Sequence, residues 1–353
     1  MSRIENIQNR LRDEGLDALV LFSPVNIRYA TRFFITDGAA VVTPDGAWLL
    51  TDSRYIEAAR EKAVGVETLL FDTDRPLSKV LPEVLAGCKA VGAEELSLAH
   101  GRWGEWEKKL SLTLRPAEKI LLELRAVKEP EEVQAIVSAQ RIAEQALKEI
   151  LGLLKPGMKE RDIAAELTYR MLLLGAEGNS FDPITITGAN TSKPHGVPGD
   201  DVIRPGDFVT MDFGCLYDGY CSDMTRTVAI GHATEEMKTV YNTVLKAQLT
   251  GIAAAKAGVT GAAVHNAAAK VIAEAGYGAY FGHGFGHSLG LEIHEDPRAS
   301  ARNDKPLPAG AVVTAEPGIY IPGKFGVRIE DMMLIREDGA EVLTKAPKEL
   351  LIL

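Results

Sequence analysis

The chain has 353 residues, of which 46% are hydrophobic and 25% are charged, a balance typical of soluble globular proteins. Its formal net charge of −10 at pH 7 argues against nucleic acid or an anionic membrane as the main partner, because both are negatively charged. No hydrophobic run reaches the roughly 20 residues of a membrane span, and the N-terminal segment lacks the features of a secretory signal, so we expect a cytoplasmic protein.

The first third of the chain alternates short helical and strand-like segments, which predicts an α/β domain. It contains no nucleotide-binding glycine pattern and no catalytic cluster, so we interpret it as a structural or oligomerisation domain. Its segments are a helix at 4–14, a strand at 16–22, a loop at 23–26, two strands within 33–52 joined by the turn Pro44–Asp45–Gly46, a helix at 53–62, a strand at 66–71, and further alternating segments at 77–85, 90–91 and 102–112.

A long helix is predicted at 131–154, because hydrophobic residues recur there at helical spacing and Pro130 suits a first helical turn. We place a domain boundary before this helix, which gives domains at 1–125 and 126–353, in line with a prior of about 150 residues per domain. Further helices are predicted at 162–174, 234–257 and 261–275, and a strand at 184–188.

The stretch Asp207–Thr227 is predicted to form a β-hairpin, because Asp218-Gly219 is a strong signal for a two-residue turn. Cross-strand partners then have numbers that sum to 437, so Asp212 faces Thr225 and lies diagonal to Asp223, with Cβ atoms roughly 7–8 Å apart. A cation between the two aspartates would relieve their repulsion. The alternative is a pair of solvated aspartates on an exposed sheet face.

The chain has three cysteines, Cys88, Cys215 and Cys221, without C-x-x-C or zinc-ribbon spacing. An odd number in a chain without a secretory signal favours reduced thiols. Cys215 and Cys221 flank the hairpin turn, however, so a disulfide between them is left open.

Histidines are concentrated near this hairpin and in the last third of the chain. His195 lies on a loop before the hairpin, and His283, His287 and His294 lie in the glycine-rich stretch His283–Glu295. Glycines disfavour a regular helix there and favour a tight path that brings the backbone close to a ligand. A cluster of this kind is typical of metal binding or proton transfer.

The stretch Val312–Leu334 repeats the plan of the first hairpin. Glu316 precedes a strand, Gly323-Lys324 forms a turn, and the returning strand carries Arg328 and Glu330. A bulge or a third turn residue is possible here, so the register is less defined. The repetition predicts two related α-β halves with a pseudo-twofold axis.

Four carboxylates that converge without cations would repel one another strongly. Two divalent metals would neutralise them and create a hydrolytic site. A ligand set of carboxylates with one imidazole favours Mn, Co, Fe or Zn over a structural zinc site, which prefers cysteine and histidine.

These residues resemble the creatinase/aminopeptidase family with the pita-bread fold, and within it the Xaa-Pro peptidases, prolidase and aminopeptidase P. The resemblance covers essentially the whole chain and implies a creatinase-type N-terminal α/β domain followed by a pita-bread metallopeptidase domain. Its motifs are His195, Asp212, Asp223, HGFGHSLGLEIHE, EPGIY and GVRIED, with the weaker NIRYATRF and LLTDSRY near the N-terminus.

The resemblance implies five metal ligands for two divalent ions, with Mn as the favoured metal. Asp212 matches a ligand that binds one ion through both oxygens, and Asp223 and Glu330 match carboxylates that bridge both ions. His287 and Glu316 match ligands of the second ion. The family's nucleophile is a hydroxide between the ions, and Glu316 takes part in its proton transfer.

The resemblance also implies roles on the substrate side. His195 matches a substrate-binding histidine, and His283 and His294 match groups that contact the scissile region and stabilise the tetrahedral intermediate. Arg328 matches an arginine that contacts substrate or orients ligands. Arg298 lies where prolidases bind the free carboxylate of proline.

Several functions are compatible with this fold. A dipeptidase is favoured through Arg298, and an aminopeptidase P that acts on longer peptides is the alternative. A non-catalytic pita-bread binding protein and a metal-free creatinase are disfavoured because all five ligands are present. The expected partners are a proline-containing peptide substrate and a second copy of the chain in a homodimer.

Overall fold

A computed structural model describes residues 2–353, and the chain divides into two compact units, Met1–Arg125 and Ala126–Leu353. Helices and strands occur in both units, so the predicted mixed α/β class is confirmed. No helix in residues 2–353 combines the length and the apolar character that crossing a membrane would require.

The first unit is built on a six-stranded sheet in the order β4-β3-β2-β1-β5-β6. The pairs β1–β2 and β2–β3 are antiparallel and the others are parallel. Its strands are β1 Ala18–Leu21, β2 Gly38–Thr43, β3 Gly46–Thr51, β4 Glu67–Leu70, β5 Val91–Ala93 and β6 Leu114–Pro116, and its helices are α1 Arg3–Asp13, α2 Pro24–Thr31, α3 Ile56–Lys62, α4 Leu77–Val84, α5 His100–Leu110 and α6 Glu118–Ala126.

The predicted loop at 23–26 is wrong, because the helix α2 begins at Pro24. Ser23 has an extended backbone and precedes the helix, and proline fits the first helical position because no helical partner is needed for its missing N–H. The strand β6 and the helix α6 were not predicted as separate elements.

The second unit carries four α-helices and thirteen short strands among its described residues. Short 3-10 helices occur at Gly188–Ser192 and Gly278–Tyr280. The helices are α7 Pro130–Leu151, α8 Glu160–Leu173, α9 Glu235–Ala254 and α10 Gly261–Glu274, and the strands are β7 Gly178–Asn179, β8 Ile184–Thr187, β9 Phe208–Phe213, β10 Cys215–Tyr217, β11 Tyr220–Cys221, β12 Met224–Ala229, β13 Gly286–Ser288, β14 Glu295–Ala299, β15 Val312–Ala315, β16 Gly318–Ile321, β17 Phe325–Arg328, β18 Asp331–Ile335 and β19 Ala340–Val342.

The first strand pair, β9 with β12, has the predicted register. Asp212 pairs with Thr225, and the same register continues through the β10–β11 hairpin, where Tyr217 pairs with Tyr220. Asp218 and Gly219 both have positive φ, as a two-residue hairpin turn of this hand requires. Cys215 and Cys221 are buried free thiols.

The second strand pair, β15 with β18, follows the same plan with a longer turn. Ile321 pairs with Phe325, so three residues, 322–324, form the loop, which has the third turn residue that the sequence left open beside Gly323-Lys324. Ala315 pairs with Asp331 and Gly318 pairs with Arg328. The register therefore places Glu316 opposite Glu330.

Each strand pair is covered by its own helices. The helices α7 and α8 pack on the first pair through a core that includes Leu147, Leu167 and Met211. The helices α9 and α10 pack on the second pair through Val244, Ala268 and other buried residues. Each buried aliphatic side chain of this size contributes roughly 1.5–3 kcal/mol, so the two cores hold the strand pairs firmly.

Candidate active site

Four carboxylates lie on the two strand pairs, two on each pair. Asp212 is on β9, Asp223 immediately precedes β12, Glu316 immediately follows β15, and Glu330 immediately precedes β18. All four line one cavity of about 490 Å³. Asp223, Glu316 and Glu330 therefore lie just outside the ladder, whereas Asp212 stays within it, paired with Thr225.

All ten residues predicted for the site line this cavity. It brings together residues that are up to 135 positions apart in the sequence: His195, Asp212, Asp223, His283, His287, His294, Arg298, Glu316, Arg328 and Glu330. The structure thus collects the predicted residues in one place, while their individual roles stay predictions.

Three of these residues form a compact group suited to a metal ion. One potential ligand atom from each of Asp223, His287 and Glu330 lies within 4.8 Å of the others. His287 Nε2 is 3.6 Å from Asp223 Oδ2 and 3.3 Å from Glu316 Oε1. His287 Nδ1 lies 3.1 Å from the carbonyl oxygen of Ser288 and donates to it, which leaves the Nε2 lone pair directed at the carboxylates.

Asp212 provides a separate test of whether a cation fits. Its Oδ2 accepts a hydrogen bond from Arg328 Nη2, whereas its Oδ1 is buried and has no hydrogen-bond partner in the described part of the chain. A buried carboxylate oxygen without a partner costs free energy, and a divalent cation would satisfy it. The donor set of carboxylates with one imidazole therefore fits a divalent metal.

The pKa values of these carboxylates also favour added positive charge. Burial, followed by repulsion from neighbouring carboxylates, raises the pKa of Asp223 and of Glu330 well above their ordinary values. Burial raises the pKa of Glu316 to about 7. Burial lowers the pKa of His287 to about 4, so the imidazole is neutral and able to act as a ligand at neutral pH.

Tyr320, the last residue of the EPGIY motif, contacts two residues of the cavity wall, and the sequence analysis gave it no role. Its hydroxyl oxygen accepts from Arg328 Nη1 at 2.9 Å and lies 3.0 Å from His283 Nε2. His283 Nδ1 lies 2.8 Å from the carbonyl oxygen of Gly284 and donates to it, so Nε2 accepts from Tyr320. Both ring nitrogens of His283 are thus engaged, and contact of either with a substrate requires one of these bonds to break.

The other predicted substrate-side residues surround the metal group. His294 packs edge-on against His287, with ring centroids 4.4 Å apart. His195 is exposed on its loop, and the carbonyl oxygen of the preceding Pro194 accepts from Arg328 Nη1 at 3.2 Å. The side chain of Arg298 is 56% exposed, and its Nε is 3.8 Å from Asp296 Oδ1.

The cavity wall also includes residues that belong to none of the quoted motifs and for which the sequence predicted no role. They include Phe181, Asp182, Ile184 and Ser300.

Two family models match the chain. The model for metallopeptidase family M24 matches residues 134–337, and the model for the creatinase/prolidase N-terminal domain matches residues 3–127. Together they account for most of the sequence.

The chain is also similar to curated proteins over its full length. It is 40% identical to an uncharacterized peptidase of Bacillus subtilis, over 99% of this chain and 100% of that protein. It is 36% identical to a Xaa-Pro dipeptidase of Pyrococcus furiosus, over 99% of each chain.

Solved structures show the same likeness. A Xaa-Pro dipeptidase from Bacillus anthracis superposes with a TM-score of 0.95 at 39% identity, over 99% of both chains. An X-Pro aminopeptidase from Thermotoga maritima superposes with a TM-score of 0.93 at 35% identity, over 98% of this chain and 100% of that one.

Proposed function

The chain belongs to metallopeptidase family M24, and we propose that it hydrolyses the peptide bond between an N-terminal residue and a following proline, as a Xaa-Pro dipeptidase. The observation that carries the proposal is the convergence of the group Asp223, His287 and Glu330 with Glu316 and the partnerless Oδ1 of Asp212 in one cavity. A group of buried carboxylates is stabilised by divalent cations and serves hydrolysis when they are present.

We propose that five residues hold two divalent ions, with Mn as the favoured metal: Asp212, Asp223, His287, Glu316 and Glu330. Bound there, the ions would polarise the scissile carbonyl and lower the pKa of a bound water towards neutrality. The neutral His287 directs its Nε2 lone pair at this group, and Thr314 Oγ1 donates to Glu316 Oε1 at 3.1 Å and restrains that carboxylate.

Glu316 is the residue best suited to move a proton. Without bound metal, burial raises its pKa to about 7. As a carboxylate of the proposed site, it is placed to accept a proton from the attacking water and to give it to the leaving proline nitrogen. That transfer is needed because the departing prolyl group leaves as a secondary amine. His195 and His294 are placed on the cavity wall, where they can donate hydrogen bonds to the oxygen of the tetrahedral intermediate.

Recognition of a dipeptide is assigned to Arg298. A prolyl amide has no N–H, so a Xaa-Pro enzyme must recognise the ring by shape and the rest of the substrate through other groups. Arg298 extends along the cavity wall with a half-exposed guanidinium, free to pair with the carboxylate of a C-terminal proline.

An aminopeptidase that acts on longer peptides is the second candidate. It is favoured by the likeness to the Thermotoga maritima X-Pro aminopeptidase, which has nearly the same TM-score as the dipeptidase structure. The exposure of Arg298 also leaves a path by which a longer peptide could extend out of the cavity.

The deciding experiment compares hydrolysis of Ala-Pro, Ala-Pro-Ala-Ala and Ala-Ala by the Mn-loaded protein. We expect Ala-Pro to be cleaved best and Ala-Ala hardly at all. A preference for the longer peptide would identify an aminopeptidase, and cleavage of Ala-Ala as fast as Ala-Pro would refute specificity for proline. Metal analysis of the same protein should approach two ions per chain, and a ratio near zero for folded protein would contradict the metal site.

Replacing Arg298 tests its role directly. A charge-assisted pair with a carboxylate contributes about 1.5–3 kcal/mol, so Arg298→Ala should lower kcat/KM for Ala-Pro roughly tenfold to a hundredfold. The effect on Ala-Pro-Ala-Ala should be much smaller, since that peptide has no carboxylate at proline. Arg302→Ala, at a nearby exposed arginine, is the matched control. Equal losses on both peptides would contradict the assignment.

A further inference from the structure

The strands β13 and β14 do not pair in a continuous register. His287 pairs with Arg298, but the next residue, Ser288, pairs with Glu295, so the β14 strand carries two extra residues at that point. Bulges of this kind bend a strand and redirect its side chains, and they occur often beside active sites. The extra residues are not fixed by the ladder, so other contacts must define the shape of the bulge.

A buried ion pair lies directly at this bulge. Lys128 Nζ is 2.9 Å from Glu295 Oε2 and 3.4 Å from Ser288 Oγ, so it contacts both members of the first residue pair after the shift. The side chains of Lys128 and Glu295 are 1% and 6% exposed. The backbone N–H of Lys128 donates to the carbonyl oxygen of Gly310 at 2.9 Å, which fixes the origin of the lysine side chain.

The glutamate of the pair also organises the turn that precedes it. Glu295 Oε1 accepts from the backbone N–H of Glu292 at 3.1 Å. The turn closes so tightly over this carboxylate that a Cβ atom on Gly290 would lie 2.8 Å from Glu295 Oε2. The ion pair thus connects the bulge with the turn that leads to His294.

The bulge sets the distances between residues of the proposed site. His287, a proposed metal ligand, lies on one strand, and the two proposed substrate-binding residues His294 and Arg298 lie on either side of the extra residues. A change in the bulge would therefore move His294 and Arg298 relative to His287, without any change in the ligands themselves.

Stability alone does not explain a buried lysine–glutamate pair. The cost of removing two charges from water is comparable to their attraction, and uncharged side chains of similar size often serve equally well. We propose that Lys128, through Glu295 and Ser288, is a positioning residue that fixes the β13–β14 bulge and so sets His294 and Arg298 for catalysis. This inference rests on the proposed function for its kinetic consequence.

The test separates positioning from stability with three variants: Lys128→Met, Glu295→Gln and the double variant. Lys128→Met alone removes the lysine cation from a buried carboxylate and should lower Tm strongly. The double variant carries neither charge of the pair, and its glutamine oxygen can still accept from Glu292. Its Tm should return close to that of the wild type, while kcat/KM for Ala-Pro should stay about tenfold or more below it, as is typical when a supporting residue is lost.

Amide hydrogen exchange provides a readout that does not depend on activity. In the double variant, exchange should become faster in residues 288–299 and stay unchanged in β9 and β12. Lys324→Met, which removes an exposed lysine 3.0 Å from Glu236, is the matched control and should alter neither measurement.

Recovery of both Tm and kcat/KM in the double variant would overturn the proposal and leave the pair with a stabilising role only. Unchanged exchange in residues 288–299 would also overturn it. If the wild-type protein cleaves no Xaa-Pro peptide, the proposed function fails, and the exchange measurement alone decides whether the pair fixes the bulge.

Discussion

The two strand pairs place their carboxylates differently. In the first pair, Asp212 lies opposite Thr225, and the register places Asp223 opposite Gly214. In the second pair, the register places Glu316 directly opposite Glu330. The two halves thus share one plan but present their carboxylates differently. The aspartates are offset along the strands, and the glutamates face each other directly. The longer glutamate side chains give opposed carboxylates more freedom to separate, so a symmetric backbone can produce an asymmetric ligand set.

Each strand pair also completes the polar contacts of the other. Arg328 of the second pair forms a salt bridge with Asp212 of the first, and Thr225 Oγ1 of the first donates to Glu330 Oε2 of the second at 2.7 Å. The backbone N–H of Glu330 donates to the carbonyl oxygen of Thr225 at 3.1 Å. Neither strand pair alone supplies all the polar contacts of the site. A substitution in one strand pair should therefore alter properties that depend on the residues of the other.

The largest effect is expected when one negative charge is removed from each half in turn. Asp223→Asn and Glu330→Gln should each lower kcat by roughly a hundredfold or more, because metal-assisted charge stabilisation contributes several kcal/mol. Circular dichroism should show a retained fold. Glu341→Gln, at an exposed carboxylate, serves as the control. Near-normal turnover of either site variant at saturating Mn would contradict its place in the metal site.

The glycines two positions after Asp212 and Glu316 should respond differently to a methyl group. A Cβ on Gly214 would lie 1.8 Å from the backbone oxygen of Ser222, whereas a Cβ on Gly318 would lie 2.3 Å from the Tyr320 hydroxyl. Gly214→Ala should therefore lower the free energy of unfolding by about 3 kcal/mol or more, since a backbone clash is hard to relieve.

Gly318→Ala should instead displace Tyr320 and lower activity more than stability, because the clash there is with a side chain. Denaturant unfolding and steady-state kinetics of both variants give the comparison. Equal losses of stability in the two variants would show that the difference between backbone and side-chain contact does not matter here.

Removing the metal should make the stability of the folded protein depend on pH through the opposed glutamates. Burial raises the pKa of Glu316 to about 7, so the folded metal-free protein keeps a proton that the unfolded chain releases at lower pH. Stability is therefore present at acid pH and is lost as pH rises from about 4.5 to about 7, by roughly 3 kcal/mol. Thermal unfolding of chelated protein should show a falling Tm across this range.

Glu316→Gln provides the control for that pH dependence, because it carries no ionisable group at this position. Its metal-free Tm should change less between pH 5 and pH 8 than that of the wild type. A Tm of the metal-free wild type that rises over this range would contradict the direction of the shift.

The smallest effect on activity is expected from removing the Thr225 hydroxyl, which connects the two strand pairs. Thr225→Val removes the hydrogen bond to Glu330 and the one that Arg328 Nε donates to Thr225 Oγ1 at 3.0 Å. A hydrogen bond to a charged group contributes about 1.5 kcal/mol or more, so kcat/KM should fall about tenfold. Thr225→Ser keeps the hydroxyl and should retain most activity. Similar losses in both variants would assign the effect to packing.

The parts of the fold that could be predicted are those determined by residues close together in the sequence. The register of the first strand pair follows from the Asp218-Gly219 turn, because a two-residue loop leaves one way to pair the flanking strands. The second turn gave no such signal, so the sequence left open whether it has a bulge or a third residue, and the structure has three loop residues. The helix α2 was missed because the residue types serine, proline and asparagine, grouped at 23–26, are also typical of loops.

For the candidate site too, residues with a local sequence motif could be predicted, and contacts between distant parts of the chain could not. The motifs indicated ten residues that the fold collects in one cavity. Tyr320 was given no role although it ends the EPGIY motif, and Lys128 was missed because its contacts come from partners far away in the sequence. Lys128 and Glu295 are separated by 167 positions, and a hydrogen bond over that distance follows only from the tertiary fold.

The contacts that join the two strand pairs also fix when the site can exist during synthesis. Asp212 and Arg328 are 116 positions apart, and Thr225 and Glu330 are 105 apart. Because chains emerge from the ribosome in order, the first strand pair can fold long before the residues that complete it are made. If Glu330 is a metal ligand, as we propose, the nascent chain should hold no divalent ion tightly until Glu330 has emerged, and metal uptake would be a late event in folding.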